Sequence, residues 1–113
     1  MERKFRLSHS LDIQRVRRDG KSYAHPLFVL ITLPDDSVER SLIGVIATKS
    51  VGGAVERNHA KRLLRASADA LAGHIREHHM ILLIARKRIL EAESSDDVRD
   101  ILEVQLKKAD LYC

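Results

Sequence analysis

The spacing of apolar segments in this chain predicts an α+β fold in which helices pack on a four-stranded sheet in the order αβββαβα. Three observations support this class. Short β-branched runs alternate with longer amphipathic stretches, and turn residues separate them. The length of 113 residues is enough for one hydrophobic core but not for two. Residues 1–113 are therefore expected to form a single domain.

A helix and a short extended segment are predicted near the start of the chain. Ser8 or Ser10 can cap a helix that ends near Asp19, and Gly20 stops it. An extended piece follows at about residues 21–24. The apolar side of the predicted helix comprises Leu7, Leu11, Ile13 and Val16.

Two buried strands are predicted next. Residues 26–33 are rich in β-branched and aromatic side chains, residues 34–37 form a turn, and residues 41–48 form the following strand. Strands joined by a short turn usually pair antiparallel, so we expect these two strands to be neighbours in the sheet.

The second half of the chain predicts a long helix, a strand and a final helix. The helices run from about residue 54 to 75 and from about 96 to 108, with the strand at 80–85 between them. Ser94 or Ser95 can cap the final helix. Its apolar stripe comprises Val98, Ile101, Leu102 and Leu106.

The composition excludes several classes of protein. A hydrophobic fraction of 44% excludes general disorder, and a charged fraction of 32% excludes a membrane protein. No apolar run approaches the roughly 20 residues of a membrane span. The one cysteine, Cys113, allows no internal disulfide. We therefore expect a cytoplasmic protein without a membrane partner.

The positive charge is concentrated in the first part of the chain. Residues 1–65 carry 13 Lys and Arg against 7 Asp and Glu, whereas residues 66–113 carry 7 against 9. Clustered cations release counterions from a nucleic acid, so this asymmetry predicts a polyanionic partner. An ordinary solvated surface fits the composition alone equally well, so the local arrangement must distinguish the two.

Residues 48–65 are the most informative segment. Gly52 and Gly53 lead into a helix whose first turns hold Arg57, Asn58, Lys61, Arg62 and Arg65. At about 100° per residue these side chains lie on an arc beside the expected core positions, which are Ala60, Leu64, Ser67, Leu71 and Ile75. Cations at i, i+4 spacing near a helix N-terminus reduce stability. This cost favours a functional reason for them, namely binding phosphate together with the free N–H groups of the first turn.

Metal binding and hydrolysis by protein side chains are less well supported. His74 and His78 stand at i, i+4 spacing beside His79, but an exposed polar helix end explains them better. The candidate acids of a free-standing nuclease lie in a predicted turn or helix cap, where conformational preference explains them: Asp35, Asp36, Asp96 and Asp97. We predict no catalytic side chain and no metal ligand in the protein.

The segment 48–65, TKSVGGAVERNHAKRLLR, closely resembles the signature of the bacterial ribonuclease P protein family, the small basic partners of a catalytic RNA. Residues 6–7, 20–22, 28–30 and 84–87 also resemble the family pattern, in the same order. The resemblance covers nearly the whole chain. A spaced motif of this size is far more specific than a lone glycine loop.

The resemblance implies a ribosomal-protein-like, two-layer α/β sandwich with a rare left-handed crossover between the strands at 41–48 and 80–85. It also implies an RNA-binding accessory subunit of ribonuclease P. The subunit would promote magnesium-dependent endonucleolytic removal of the 5′ leader from precursor tRNA. The RNA would carry the catalysis and bind most of the Mg²⁺, and no obligate protein partner is evident. The alternative is a ribosomal or translation-factor-like RNA-binding domain without a role in cleavage.

Two sets of site residues follow from the resemblance. The residues that match the family's catalytic-RNA-binding positions are Lys49, Arg57, Asn58, Lys61, Arg62 and Arg65. The cleft for the single-stranded leader, between the first helix and the sheet, is expected to involve Arg6, Ile13, Arg17, Lys21, Phe28, Leu30 and Ile31.

This chain departs from the family pattern in two places. The family often has aromatic residues where Ile13, Arg17 and Ile31 stand, so base stacking in the cleft is expected to be weaker or to involve the Arg17 guanidinium. His59 stands where the family usually has a further arginine, so a titratable group replaces a permanent cation.

Overall fold

The computed structural model describes residues 5–113, and its elements follow the predicted order αβββαβα. Ser10–Asp19 forms α1, Ala54–Leu71 forms α2 and Ser95–Lys108 forms α3. The strands are Lys21–Ala24 (β1), Phe28–Pro34 (β2), Leu42–Ile46 (β3) and His79–Ala85 (β4). Short 3₁₀ segments follow α2 and β4, at Ala72–His74 and Lys87–Glu91. The predicted α+β class with a four-stranded sheet is confirmed.

The sheet is mixed, and its strands lie in the order β1-β2-β4-β3. Strand β2 pairs antiparallel with β1 and β4, whereas β3 pairs parallel with β4. The predicted antiparallel pairing of residues 26–33 with 41–48 is therefore wrong, because β4 lies between them. Strand β4 has buried side chains on both faces, which favours an interior position in the sheet. The β3–α2–β4 connection is a βαβ crossover, and its left hand stays a prediction.

Both faces of the sheet carry helices, so the helices and the sheet form three layers instead of the expected two. Helices α2 and α3 pack on one face and enclose the main core, which includes Phe28 and Leu30. Helix α1 packs on the other face, where Val16 joins Ile31 and Leu82 in a second cluster. Successive residues of a strand point to opposite faces, and directly paired residues of neighbouring strands share a face. Each side chain of the sheet can therefore be assigned to the α1 face or to the α2/α3 face.

The start of α1 differs from the prediction. Its N-cap residue is His9, and no side chain caps the helix, so the predicted serine cap is wrong. Leu7 is buried but precedes the helix, and its N–H donates to the Ile43 carbonyl at 2.9 Å. Leu11 is 67% exposed instead of buried. Leu11 and Val16 are five positions apart in the sequence, which places them about 140° apart around the helix.

The ends of the other two helices agree with the prediction only in part. Helix α2 ends at Leu71, and Ile75, expected in the helix, instead forms an isolated bridge with Tyr112. Ser94 is the N-cap residue of α3, as predicted, although its side chain makes no capping hydrogen bond. The buried stripe of α3 comprises Val98, Leu102, Gln105 and Leu106.

An ion pair between Arg15 and Asp35 fastens α1 to the turn after β2 and should make stability depend on pH. Hydrogen bonds from the Ser37 hydroxyl (2.6 Å) and N–H (2.9 Å), with one from Arg15, lower the pKa of Asp35 from 3.8 to about 2. A carboxyl whose folded pKa lies below its unfolded pKa stabilises the fold above the unfolded value. That stability is lost as the pH falls from about 4 towards 2.

We expect Asp35→Asn to lower the free energy of unfolding by about 1 kcal/mol at neutral pH, and the difference to disappear near pH 2. This is less than the full pKa shift implies, because the Arg15 side chain is 41% exposed. Urea unfolding across this pH range measures the difference. Asp36→Asn is the control, since Asp36 is exposed and has no hydrogen bond or ion pair within residues 5–113. A loss of unfolding free energy that does not change with pH would contradict the lowered pKa of Asp35 as its cause.

Candidate nucleic-acid interface

A row of polar side chains runs along α2 beside its buried face. The helix buries Ala60, Leu64 and Leu71 against the rest of the core. The neighbouring arc carries the five predicted positions, of which Asn58 and Arg62 are exposed and the other three are half-buried. We call this set the polar row: Arg57, Asn58, Lys61, Arg62 and Arg65. The predicted arrangement of cations beside a core stripe is confirmed in the structure.

The cations of the polar row have no acidic partners among residues 5–113. The same holds for Lys49, whereas some cations elsewhere are paired, such as Arg99 with Asp96 and Asp100 at 3.3 Å. Within residues 5–113, the side chains of the row make one hydrogen bond, a weak one from Arg57 Nε to the Gly53 carbonyl at 3.4 Å. In the part of the chain that the structure describes, these charges are therefore available to an external anion.

Part of the polar row forms a shallow depression. Asn58, Arg62 and Arg65 line it together with Asp69, and its volume is about 400 Å³. The Nε atom of Arg65 is buried and has no hydrogen-bond partner within residues 5–113. A buried donor without a partner is costly, and an anion bound in the depression would remove that cost. A phosphate oxygen has the charge and acceptor geometry that a guanidinium binds.

The loop before α2 leaves the N-terminus of the helix open. Gly52 has φ of 148°, and a Cβ atom there would lie 2.9 Å from the Cβ atom of Glu56, so glycine is required. Gly53 is the N-cap residue and has no side chain to satisfy the free N–H groups of the first turn. Buried Val51 anchors the loop, while Lys49 is exposed. The loop thus places a cation and free donors next to the polar row.

The predicted leader cleft lies between α1 and the sheet, but its lining differs from the prediction. Ile13 and Ile31 belong to the α1 face, as expected. Phe28 and Leu30 are fully buried on the opposite face, in the core beneath α2 and α3, so they cannot line the cleft. Lys21 is also on that opposite face, because it pairs with Thr32 in the ladder and its Nζ lies 5.5 Å from the centroid of the Tyr23 ring.

The floor of the cleft is aliphatic, and the sequence pattern did not predict it. Val29 pairs with Ile84, which pairs with Ile46, and all three are half-buried on the α1 face. We call these three residues the cleft floor. No alternation of polar and apolar residues marks them in the sequence, because both faces of these strands are covered. The structure, by assigning each residue to a face, identifies them.

An open groove of about 790 Å³ continues the cleft at one end of the sheet. We call it the terminal groove. Its lining comes from α1 (Arg17), the β1–β2 turn, the Thr48–Ser50 part of the loop before α2, and the end of β4. Among the residues that the structure describes, four cations and no carboxylate line it: Arg17, Arg86, Lys87 and Arg88. The three consecutive cations directly after β4 are the sequence signal that could have identified this groove.

Arg6, also predicted near the leader, does not reach this groove. It bridges to Ile43 at the β3 edge of the sheet, whereas Lys21 lies at the β1 edge. Ile43 precedes Ile46 by three residues, which is about 10 Å along a strand. The structure therefore brings Ile13, Ile31 and Arg17 together and separates them from Arg6 and Lys21.

The described residues do not provide a metal site or a membrane span. Within residues 5–113, no group of three or more His, Cys, Asp and Glu side chains is arranged to hold a metal ion, so these residues do not fit a magnesium site. Two of the acids weighed as nuclease candidates are held by cations, Asp35 by Arg15 and Asp96 by Arg99. Among the helices described, none is long and apolar enough to cross a membrane.

A mixed sheet flanked by helices, with unpaired cations on one helix and a cationic groove at the end of the sheet, defines a small nucleic-acid-binding protein. The family model described as Ribonuclease P matches residues 1–110. The chain belongs to the ribonuclease P protein family.

Relatives and solved structures agree with this assignment. The ribonuclease P protein component of Listeria innocua is 33% identical over 104 residues, which cover 92% of this chain and 87% of the relative. That of Shouchella clausii is 36% identical over 109 residues, which cover 96% of this chain and 88% of the relative. A solved structure of the Staphylococcus aureus RNase P protein matches with a TM-score of 0.84 at 28% identity, covering 96% of this chain and 98% of that one.

Proposed function

We propose that this chain is the RNA-binding protein subunit of ribonuclease P, acting in the removal of the 5′ leader from precursor tRNA. The observation that carries the proposal is the polar row of α2, whose cations have no acidic partners in the described part of the chain. Membership of the family, over nearly the whole chain, supports ribonuclease P RNA as the RNA that the row would bind.

In this proposal the polar row docks the protein on the catalytic RNA. Arg57 and Arg62 present planar guanidinium groups that bind phosphate oxygens in pairs, and the N–H groups at the start of α2 add further donors. Asn58, a neutral side chain with both donor and acceptor atoms, suits a sugar hydroxyl or a base edge. Lys49 extends the cationic surface towards the loop.

The leader of the substrate is proposed to lie in the cleft between α1 and the sheet and to leave it through the terminal groove. The cleft floor offers aliphatic surface to bases, while Arg17, Arg86 and Lys87 bind phosphates. The loop before α2 lines the terminal groove and leads directly into the helix that carries the polar row. A protein docked on the catalytic RNA through the polar row would therefore hold the leader close to that RNA. Bound in this way, the leader would strengthen the affinity for substrate over that for product.

Catalysis is assigned to the RNA partner. The protein's role is to bind and orient the two RNAs, and no step is assigned to a protein nucleophile or base. The magnesium that the family implies supplies charge stabilisation for phosphodiester hydrolysis and is proposed to be bound mainly by the RNA. The cations of the protein would reduce repulsion between the RNA strands, which lowers the magnesium concentration that assembly requires.

Reconstitution with a bacterial ribonuclease P RNA tests this function. At low magnesium we expect the protein to raise the rate of precursor tRNA cleavage by about tenfold or more, because it screens phosphate repulsion that magnesium otherwise screens. We also expect the holoenzyme to bind leader-bearing tRNA more tightly than mature tRNA. Protein without RNA is the control for a free-standing nuclease.

Absence of stimulation would contradict the proposal. Cleavage by the protein alone would revive the nuclease hypothesis. The ribosomal or translation-factor alternative would be supported if the RNA that co-purifies with the protein from cells were ribosomal RNA without ribonuclease P RNA. Sequencing of the co-purified RNA distinguishes the two.

A further inference from the structure

His25 stands in the turn between β1 and β2, where one backbone contact and two ring contacts hold the residue. Its backbone N–H donates to the Phe28 carbonyl at 3.0 Å, and the Leu27 N–H donates to the ring Nδ1 at 3.0 Å. The ring centroids of His25 and Phe28 are 5.9 Å apart, with an angle of 31° between the planes. A side chain held in this way loses little freedom when it binds a ligand.

The imidazole of His25 is neutral near neutral pH. Because Nδ1 accepts the Leu27 N–H, the proton of the ring lies on Nε2. Partial burial lowers the pKa of His25, and the charges of Lys108 and Arg88 lower it further. Within residues 5–113, Nε2 has no hydrogen-bond partner. The groove therefore contains one uncharged, flat ring among permanent cations.

The ring of His25 offers a base a flat surface without a charge, whereas the other flat groups of the terminal groove are the guanidinium groups of Arg17, Arg86 and Arg88. Among residues 5–113, the lining contains no aromatic ring other than that of His25. The cleft leading to it has aliphatic residues at Ile13 and Ile31 and an aliphatic floor. Cations bind the backbone of a single strand, whereas its unstacked bases are commonly held on flat side chains, histidine included.

We propose that the ring of His25 is the platform on which one unstacked base of single-stranded RNA lies in the terminal groove, while Arg86 and Lys87 bind the adjoining phosphates. The inference rests on the proposed function, because the strand in question is the leader of precursor tRNA. It assigns the stacking of a base in this chain to a turn residue instead of to α1 or β2. His25 is then a specificity-determining residue that adds no charge to the site.

Two substitutions separate this role from a structural one. His25→Asn removes the ring but keeps the turn, because an Asn side chain can accept the Leu27 N–H in the same i to i+2 pattern. His25→Phe keeps a ring but removes that acceptor. We expect His25→Asn to weaken the binding of leader-bearing tRNA to the reconstituted holoenzyme about fivefold, and His25→Phe to stay within about twofold of the parent. A purely structural role predicts the reverse order.

The salt dependence of binding provides a second readout. The slope of log affinity against log salt counts the phosphate charges that the protein neutralises. His25→Asn should leave this slope unchanged, whereas Arg86→Ala should reduce it by about 0.7. A precursor tRNA with abasic leader nucleotides should bind the parent and His25→Asn equally. The proposal that His25 is a base platform would be overturned if His25→Asn bound leader-bearing tRNA as tightly as the parent does. It would also be overturned if both His25 variants lost the same amount of affinity.

Failure of this inference is distinguishable from failure of the proposed function. If the parent holoenzyme binds leader-bearing and mature tRNA equally, the leader site itself is refuted, whatever the His25 variants do. If the parent distinguishes the two tRNAs and Arg86→Ala weakens that preference, but His25→Asn does not, the groove is correct and the platform is wrong.

Discussion

Replacing Arg57 and Arg62 together by alanine should weaken the binding of ribonuclease P RNA by about 100-fold. Each guanidinium is expected to make a charged hydrogen bond to phosphate worth about 1.5 kcal/mol, and two such losses correspond to about two powers of ten in affinity. Neither side chain has an acidic partner in the described residues, so no internal ion pair is broken. The fold should be unaffected, because removing like charges from one helix reduces repulsion.

Equilibrium binding of the RNA at several salt concentrations measures this effect. The slope of log affinity against log salt should fall by about 1.5, since two cations are lost. The control is the double variant Arg99→Ala/Lys107→Ala, which removes the same charge from α3, where both cations are paired with acids. An equal loss of affinity in the control would show that net charge, not the polar row, determines binding.

Gly20→Ala should cause the largest loss of stability among single methyl additions at glycine. A Cβ atom at Gly20 would lie 2.4 Å from the Val16 carbonyl oxygen, 2.7 Å from Ile31 Cγ2 and 3.0 Å from the Thr32 carbonyl oxygen. Two of these are backbone atoms, one in α1 and one in β2, so relief requires shifting the backbone at Gly20 away from both elements. We expect a loss of about 3 kcal/mol and a fall in Tm of about 10 °C.

Gly73→Ala is the matched control, because a Cβ atom at Gly73 would have nothing within 4 Å. It should be neutral or raise stability by about 0.5 kcal/mol. Thermal unfolding of the two variants measures the difference, and equal Tm values would contradict the close packing of α1 on β2. Below its Tm, Gly20→Ala should weaken binding of the leader more than binding of the catalytic RNA, since α1 forms one wall of the cleft and α2 does not.

The two interfaces differ in how much of them the sequence predicts. The polar row lies on one helix, and the 3.6-residue period relates Arg57 to Lys61 and Arg65 without any knowledge of the tertiary structure. Its position beside Ala60 and Leu64 was therefore predicted correctly. The cleft is formed by several strands and a helix, so its lining depends on pairing between distant segments. Phe28 and Leu30 were assigned to it wrongly, and Ile84 was missed.

The number, type and order of the secondary-structure elements follow from the sequence alone, because apolar period, turn residues and glycines act locally. The polar row also follows from the sequence alone, and the family assignment follows with it. The strand order required the tertiary structure, since inserting β4 between β2 and β3 depends on burying both of its faces. The assignment of Val29 to one face and Phe28 to the other also required it, because strands that are apolar on both sides do not show in sequence which side faces a cleft.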